Sequence, residues 1–157
     1  MDSHPNVIAV RDALEAAGAG TVEVVILDEA VHTAVAAAAA LDVEVGQIAN
    51  SLIFDADGEP LLVLTSGAHR VDTAKVAALL GVAKLRRATP EFVRLHTGQA
   101  IGGVAPVGHP KPVRTLVDTA LEQYDVIWAA GGVPRAVFPI SYAELVRVTA
   151  GTPAEVA

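Results

Sequence analysis

The clearest alternation of apolar and polar positions runs from Gln47 to Phe54. A period of two puts Ile48, Asn50, Leu52 and Phe54 on one face and Gln47, Ala49, Ser51 and Ile53 on the other, the mark of a β-strand. Asp55-Ala56-Asp57-Gly58 supplies turn formers, and Leu61 to Thr65 returns as the hairpin partner. Asn50 thus falls on a face otherwise built from large apolar groups. A buried amide left without partners costs a few kcal/mol, so this reading requires something to bond to it.

The rest of the chain divides by the same rules. Residues 7 to 17 read as a helix with Val7, Val10 and Leu14 on one side, ended by Gly18 and Gly20. Val22 to Leu27 is β-branched and apolar, hence a strand. Thr33 can cap an alanine-rich helix reaching about Leu41, and Asp72 a helix through Leu80 that Gly81 ends. Lys84 to Ala88 reads as a short strand. Thr89-Pro90-Glu91 opens a helix that stops near His96, before Gly98. Residues 98 to 112 form a glycine- and proline-rich loop. Val113 to Val117 is a strand, and Asp118 caps a short helix. Val126 to Ala130 and Ala136 to Ile140 are strands joined through Gly131-Gly132. Ser141-Tyr142-Ala143-Glu144 is a capping box for the last helix, and the tail from Gly151 reads as frayed. Helices and strands are interspersed without strict βαβ alternation. That predicts an α/β (mixed α+β) single domain over residues 1–157, with a mixed sheet and surrounding helices.

Composition narrows the classes. The chain has 157 residues, a length that favours one domain with one core. Its longest apolar run, Thr33 to Leu41, is far short of the about 20 residues a membrane helix needs. The start, Met1-Asp2-Ser3-His4-Pro5, lacks the basic and apolar regions of a secretory signal. There is no cysteine, which removes thiol nucleophiles, disulfides and cysteine-based zinc sites and fits a reducing compartment. The histidines, His4, His32, His69, His96 and His109, show no helical metal-ligand spacing, so no metal is expected. A net charge of −7 disfavours broad phosphate neutralisation and hence DNA, but not contact with the end of an RNA. Lys84, Arg86 and Arg87, with Lys111 and Arg114, are the small basic clusters available for such contact.

Three features could carry chemistry. The segment Gly102-Gly103-Val104-Ala105-Pro106 can bring backbone close to a ligand and offer amide N–H donors. The same sequence also suits a connecting loop of unusual dihedrals. Asn50 could donate to a reacting carbonyl, or be an asparagine satisfied in a core. His96, with Thr97, could orient a water, or simply be favoured at a helix C-terminus. No nucleophile elbow is present.

Several stretches occur together in an order and spacing that resembles one family. They are Gln47-Ile48-Ala49-Asn50-Ser51-Leu52-Ile53-Phe54, Arg70-Val71-Asp72-Thr73-Ala74-Lys75 with Leu80-Gly81, Ala88-Thr89-Pro90-Glu91, Thr97-Gly98 through Gly102-Gly103-Val104-Ala105-Pro106-Val107-Gly108, Leu116-Val117-Asp118 and Ala130-Gly131-Gly132. The chain is similar, over about residues 22–150, to the YbaK/prolyl-tRNA synthetase-associated editing domain family. The resemblance implies a central curved, barrel-like mixed sheet. It implies a cytoplasmic aminoacyl-tRNA deacylase, a carboxylic ester hydrolase acting in translation fidelity. Expected partners are the acceptor end of a mischarged tRNA and an aminoacyl-tRNA synthetase, with no cofactor, no metal and no membrane.

By the same resemblance Asn50, Gly102 and Gly103 would be catalytic. Ser51, His96, Thr97, Val104, Ala105, Pro106, Ala130 and Gly131 would bind substrate. The chain departs from the family at informative places. Asn50 stands where active members usually carry lysine, which keeps a donor and loses a charge. Ala130 and Val137 stand where relatives of the cysteinyl-tRNA deacylase carry serine and aspartate. The alternative is a non-catalytic module that binds an acceptor end or nucleotide-like ligand and has lost hydrolysis.

Overall fold

The computed structural model describes residues 3–157; Met1 and Asp2, where the N-terminal stretch read above begins, lie outside the described residues. Helices α1 (Pro5–Ala16), α2 (Ala34–Leu41), α3 (Thr73–Leu80), α4 (Pro90–Thr97) and α5 (Tyr142–Thr149) surround a sheet. Its strands are β1 (Val25–Ile26), β2 (Ile48–Ala56), β3 (Glu59–Ser66), β4 (Leu85–Arg87), β5 (Arg114–Asp118), β6 (Ile127–Ala130), β7 (Ala136–Ile140) and β8 (Thr152–Ala154). The order is β1-β7-β6-β2-β3-β5-β8, with β4 attached separately to β2. Parallel and antiparallel pairs both occur along it, so the sheet is mixed as expected.

Caps predicted from single residues hold. Thr33, Asp72 and Thr89 each accept the backbone N–H three residues on, from Ala36, Lys75 and Phe92. Gly81 and Gly98 end α3 and α4 with positive φ. Ser141 accepts from the Glu144 N–H, but the Glu144 carboxylate turns to Arg147, so only half of the expected box forms. Three boundaries need correction. Helix α1 begins at Pro5, where the ring occupies the first turn and His4 Nδ1 caps Asn6 N. The strand expected over 22–27 shrinks to β1, because only Val25 and Ile26 find partners, in β7. The tail is not frayed: β8 pairs in parallel with β5, Val156 is fully buried, and its carbonyl accepts the Asp72 N–H.

Strand β2 organises the core. Ala49 and Ile53 face the main apolar cluster, which includes residues of α1, α4 and α5 and Val104 and Ala105 of the glycine-rich loop. The opposite face is covered in two separate places. Ile48 packs with Ala37 and Ala38 of α2 and with Trp128. Phe54 packs with Val76 and Ala77 of α3, and Leu52 lies against that cluster. Asn50 falls between the two coverings.

The pairing of β2 opens at the same place. Strand β3 accompanies it from Ala49 to Ala56. On its other edge β6 pairs only with Ile48 and Ala49, and β4 only with Phe54 to Ala56. Residues 50–53 therefore have a neighbouring strand on one side alone. Gly67 donates to the Ile48 carbonyl at 2.8 Å, and ladder bonds alternate along an antiparallel pair. The backbone groups of Asn50 and Leu52 thus point to β3, and those of Ser51 and Ile53 point into the gap.

Candidate functional site

A cleft occupies this gap and runs through two lobes. Both are lined by Asn50, Ser51, Leu52, Arg87, Ile101, Gly102 and Val104. The first lobe, of about 300 Å³, adds His32 and apolar groups that include Trp128, Ala130, Val133, Pro134 and Val137. The second, of about 390 Å³, adds His69, Arg70, Val71 and Thr73. These sizes sit at the lower end of small-ligand cavities.

Asn50 is half-buried in the cleft wall, and among the described residues nothing bonds to its amide. The expectation that the fold must satisfy it is therefore corrected: the uncovered patch between α2 and α3 leaves the amide to solvent or ligand. Ser51 lies on the other face of β2, and its Oγ is buried without a hydrogen-bond partner.

The glycine-rich loop meets these residues through Gly102 and Val104. Gly102 has φ of +92°, a conformation that favours glycine, and a Cβ there would stand 3.1 Å from His32 Nδ1. The segment is held from behind. The Ala105 N–H donates to Gln99 Oε1 at 2.7 Å, and the Ala105 carbonyl accepts from His109 Nε2 at 2.7 Å. A carbonyl can only accept, so Nε2 carries the proton in the neutral ring. Burial lowers the pKa of His109 below its ordinary 6.5, and the bond to Ala105 opposes this only in part. Thr97 Oγ1 accepts the Gln99 N–H at 3.0 Å and donates to the Val93 carbonyl at 2.7 Å.

The expected site residues thus separate into two groups. Asn50, Ser51, Gly102, Val104 and Ala130 line the cleft. Gly103, His96, Thr97, Ala105, Pro106 and Gly131 do not line either lobe. A Cβ on Gly103 would meet the Val133 backbone at 2.9 Å, and one on Gly131 would meet Ala136 Cβ at 2.8 Å. Close packing explains those two glycines. Thr97 and Ala105 act as loop supports, and the His96 ring packs tilted against Phe92 with centroids 4.4 Å apart. Of the basic residues proposed for RNA contact, only Arg87 reaches the cleft. Lys84 and Arg86 line a separate dent with Asp55 and Asp57, and Lys111 and Arg114 line neither lobe.

Sequence reasoning gave no site role to His32, His69 or Arg70. His32 resembles any residue before a helix cap, and only the fold brings it against Gly102. His69 bonds Asp118 Oδ2 through Nδ1 at 3.1 Å, across 49 positions of chain. Arg70 was visible as part of the quoted motif but carried no local signal of its place. Among the described residues no group of three or more acidic or histidine side chains could hold a metal ion, and no helix is long and apolar enough to cross a membrane.

Comparison with known proteins fits this geometry. The family model described as the aminoacyl-tRNA editing domain matches residues 28–148. A solved structure described as a candidate trans-editing enzyme for prolyl tRNA synthetase superposes with a TM-score of 0.91 at 45% identity, covering 97% of this chain and 96% of that one. The proline–tRNA ligase of Nitratidesulfovibrio vulgaris (strain DP4) is 34% identical over 133 residues, 78% of this chain but 23% of the ligase. The chain therefore spans only about a quarter of that relative. Protein YwhH of Bacillus subtilis (strain 168) is 29% identical over 110 residues, 69% of each chain.

Proposed function

We propose a function from one premise: the chain belongs to the aminoacyl-tRNA editing domain family, whose model spans residues 28–148. It acts in trans as an aminoacyl-tRNA deacylase, hydrolysing the ester of mischarged tRNA in translation quality control. The observation that carries this reading is the convergence of Asn50, Ser51 and Gly102 on one cleft at the gap in the sheet.

In this reading the ester lies across the residues common to both lobes. The Asn50 amide, which has no protein partner, donates to the ester carbonyl and replaces the water that would otherwise solvate it. Gly102 lets the loop backbone come up to the ester without a side chain in the way. The amino-acid side chain enters the apolar lobe beside Trp128, Val133 and Val137. That lobe suits small, uncharged side chains, with Ala130 and Val137 where relatives of the cysteinyl-tRNA deacylase carry polar groups. The exposed Arg70 of the other lobe, with Arg87 shared by both, faces the phosphates of the single-stranded 3′ end. A bound water attacks the carbonyl, and the departing oxygen belongs to the terminal ribose.

The test is hydrolysis of alanyl-, seryl-, threonyl- and cysteinyl-tRNA by the pure protein, with Asn50→Ala and Asn50→Lys alongside. Asn50→Ala is expected to slow turnover by about 100- to 1,000-fold, the usual effect of removing one such donor. Its folded stability stays close to wild type, because the Asn50 amide has no protein partner to lose. Binding of tRNA without turnover, and turnover gained in Asn50→Lys, would instead mark a module that has lost hydrolysis.

A further inference from the structure

We propose that His69 is the proton acceptor of the hydrolytic step, held in its working tautomer by the buried carboxylate of Asp118. The proposal rests on the deacylase reading above and names a group which that reading leaves open.

Asp118 is only 2% exposed. Its Oδ2 accepts the Ser66 N–H at 2.9 Å and the Thr65 hydroxyl at 3.3 Å, and its Oδ1 accepts the Ala120 N–H at 2.9 Å. His69 Nδ1 completes the set at 3.1 Å. An ionised carboxylate only accepts, so the neutral imidazole carries its proton on Nδ1 and keeps its lone pair on Nε2. A base oriented by a third group in this way is the general arrangement for activating a nucleophile. The histidine side chain is 40% exposed and lines the second lobe with Asn50 and Gly102.

The pair is mounted on the same scaffold as the carbonyl-binding amide. Thr65, which donates to Asp118, is the ladder partner of Asn50. The charged groups around His69 come from several elements. They are Asp118 at the end of β5, Arg70 beside it in the chain, Arg87 of β4 across the lobe, and Lys75 of α3, which pairs with Glu155 at 3.8 Å.

The step balances with water alone. The water oxygen forms the bond to the ester carbonyl carbon while His69 Nε2 takes its proton. The bond from that carbon to the ribose oxygen then breaks, and His69 returns the proton to the ribose oxygen. The products are the free amino acid and a tRNA with an intact terminal hydroxyl. Asp118 takes no part in the proton transfer and acts as a positioning residue.

The experiment is the pH profile of kcat/KM on whichever of the four aminoacyl-tRNAs is turned over, after subtraction of spontaneous hydrolysis, for wild type, His69→Gln and Asp118→Asn. Wild type is expected to lose activity on the acid side as the base is protonated. His69→Gln is expected to lose about 100- to 10,000-fold in kcat, with the acid limb abolished. Its tRNA binding, read from Trp128 fluorescence, stays within about twofold, since glutamine can still donate to Asp118. Asp118→Asn disturbs the buried donors and is read only if it folds; His69→Gln decides the matter without it. If His69→Gln keeps its rate within about twofold, or keeps the acid limb, the proposal is overturned while the deacylase reading stands. If wild type hydrolyses none of the four esters, both fall.

Discussion

The imidazole of His32 lies against Gly102, so close that a Cβ at residue 102 would stand 3.1 Å from His32 Nδ1. The contact closes the first lobe of the cleft between two segments seventy positions apart, and it is available only to a residue without a side chain. Gly102 also holds φ at +92°. Gly102→Ala therefore strains the backbone by about 1–2 kcal/mol and pushes either His32 or the loop aside. The expected result is a modest fall in thermal midpoint and a larger fall in ester hydrolysis. A variant that loses stability but keeps its full hydrolytic rate would remove Gly102 from the site.

Arg70 and Arg87 are exposed, line the second lobe, and form no ion pair among the described residues. An acidic protein of net charge −7 must concentrate its RNA contact locally. Each arginine bound to a phosphate of a single strand contributes a slope of about 0.7 to the dependence of log affinity on log salt. Titrating an uncharged tRNA against Trp128 fluorescence at several salt concentrations should show a slope reduced by about 1.4 in the double variant Arg70→Ala, Arg87→Ala. Arg86→Ala, which sits in the separate dent with Asp55 and Asp57, should leave the slope unchanged. Equal slopes in all three proteins would place the RNA elsewhere.

Local chemistry explains what could be read from the chain itself. Thr33, Asp72 and Thr89 cap helices because each satisfies an N–H three residues away, and that interaction needs no knowledge of the fold. The alternation in β2 placed Asn50 and Ser51 on opposite faces for the same reason. The cleft was not legible, because it arises from what fails to pair: β6 leaves β2 after Ala49 and β4 joins only at Phe54. The sequence of β2 carries no trace of that gap. His69 and Asp118, and His32 and Gly102, meet through topology, so no spacing rule could have joined them. Strand β8 was missed because Thr152-Pro153-Ala154 has no strand pattern of its own; its place is set by pairing with β5 and by the burial of Val156.

The support behind the loop gives a pH-dependent prediction. Ala105 is fully buried, and its carbonyl has His109 Nε2 as its partner at 2.7 Å. Desolvation lowers the folded pKa of His109 below 6.5, the value expected in the unfolded chain. Between those two values the unfolded chain binds more protons than the folded one, so acidification favours unfolding. The stability tied to this histidine is whole above pH 6.5 and is lost as pH falls through the folded value. Glutamine at this position can still donate to the Ala105 carbonyl but does not titrate. Urea midpoints measured from pH 8 down to pH 5 should therefore fall faster for wild type than for His109→Gln, and the two curves should separate only below about pH 6.5. His109→Ala leaves the carbonyl without a donor and should cost about 1–3 kcal/mol at every pH. Curves for wild type and His109→Gln that stay parallel across the range would mean that the histidine is not desolvated in the folded protein.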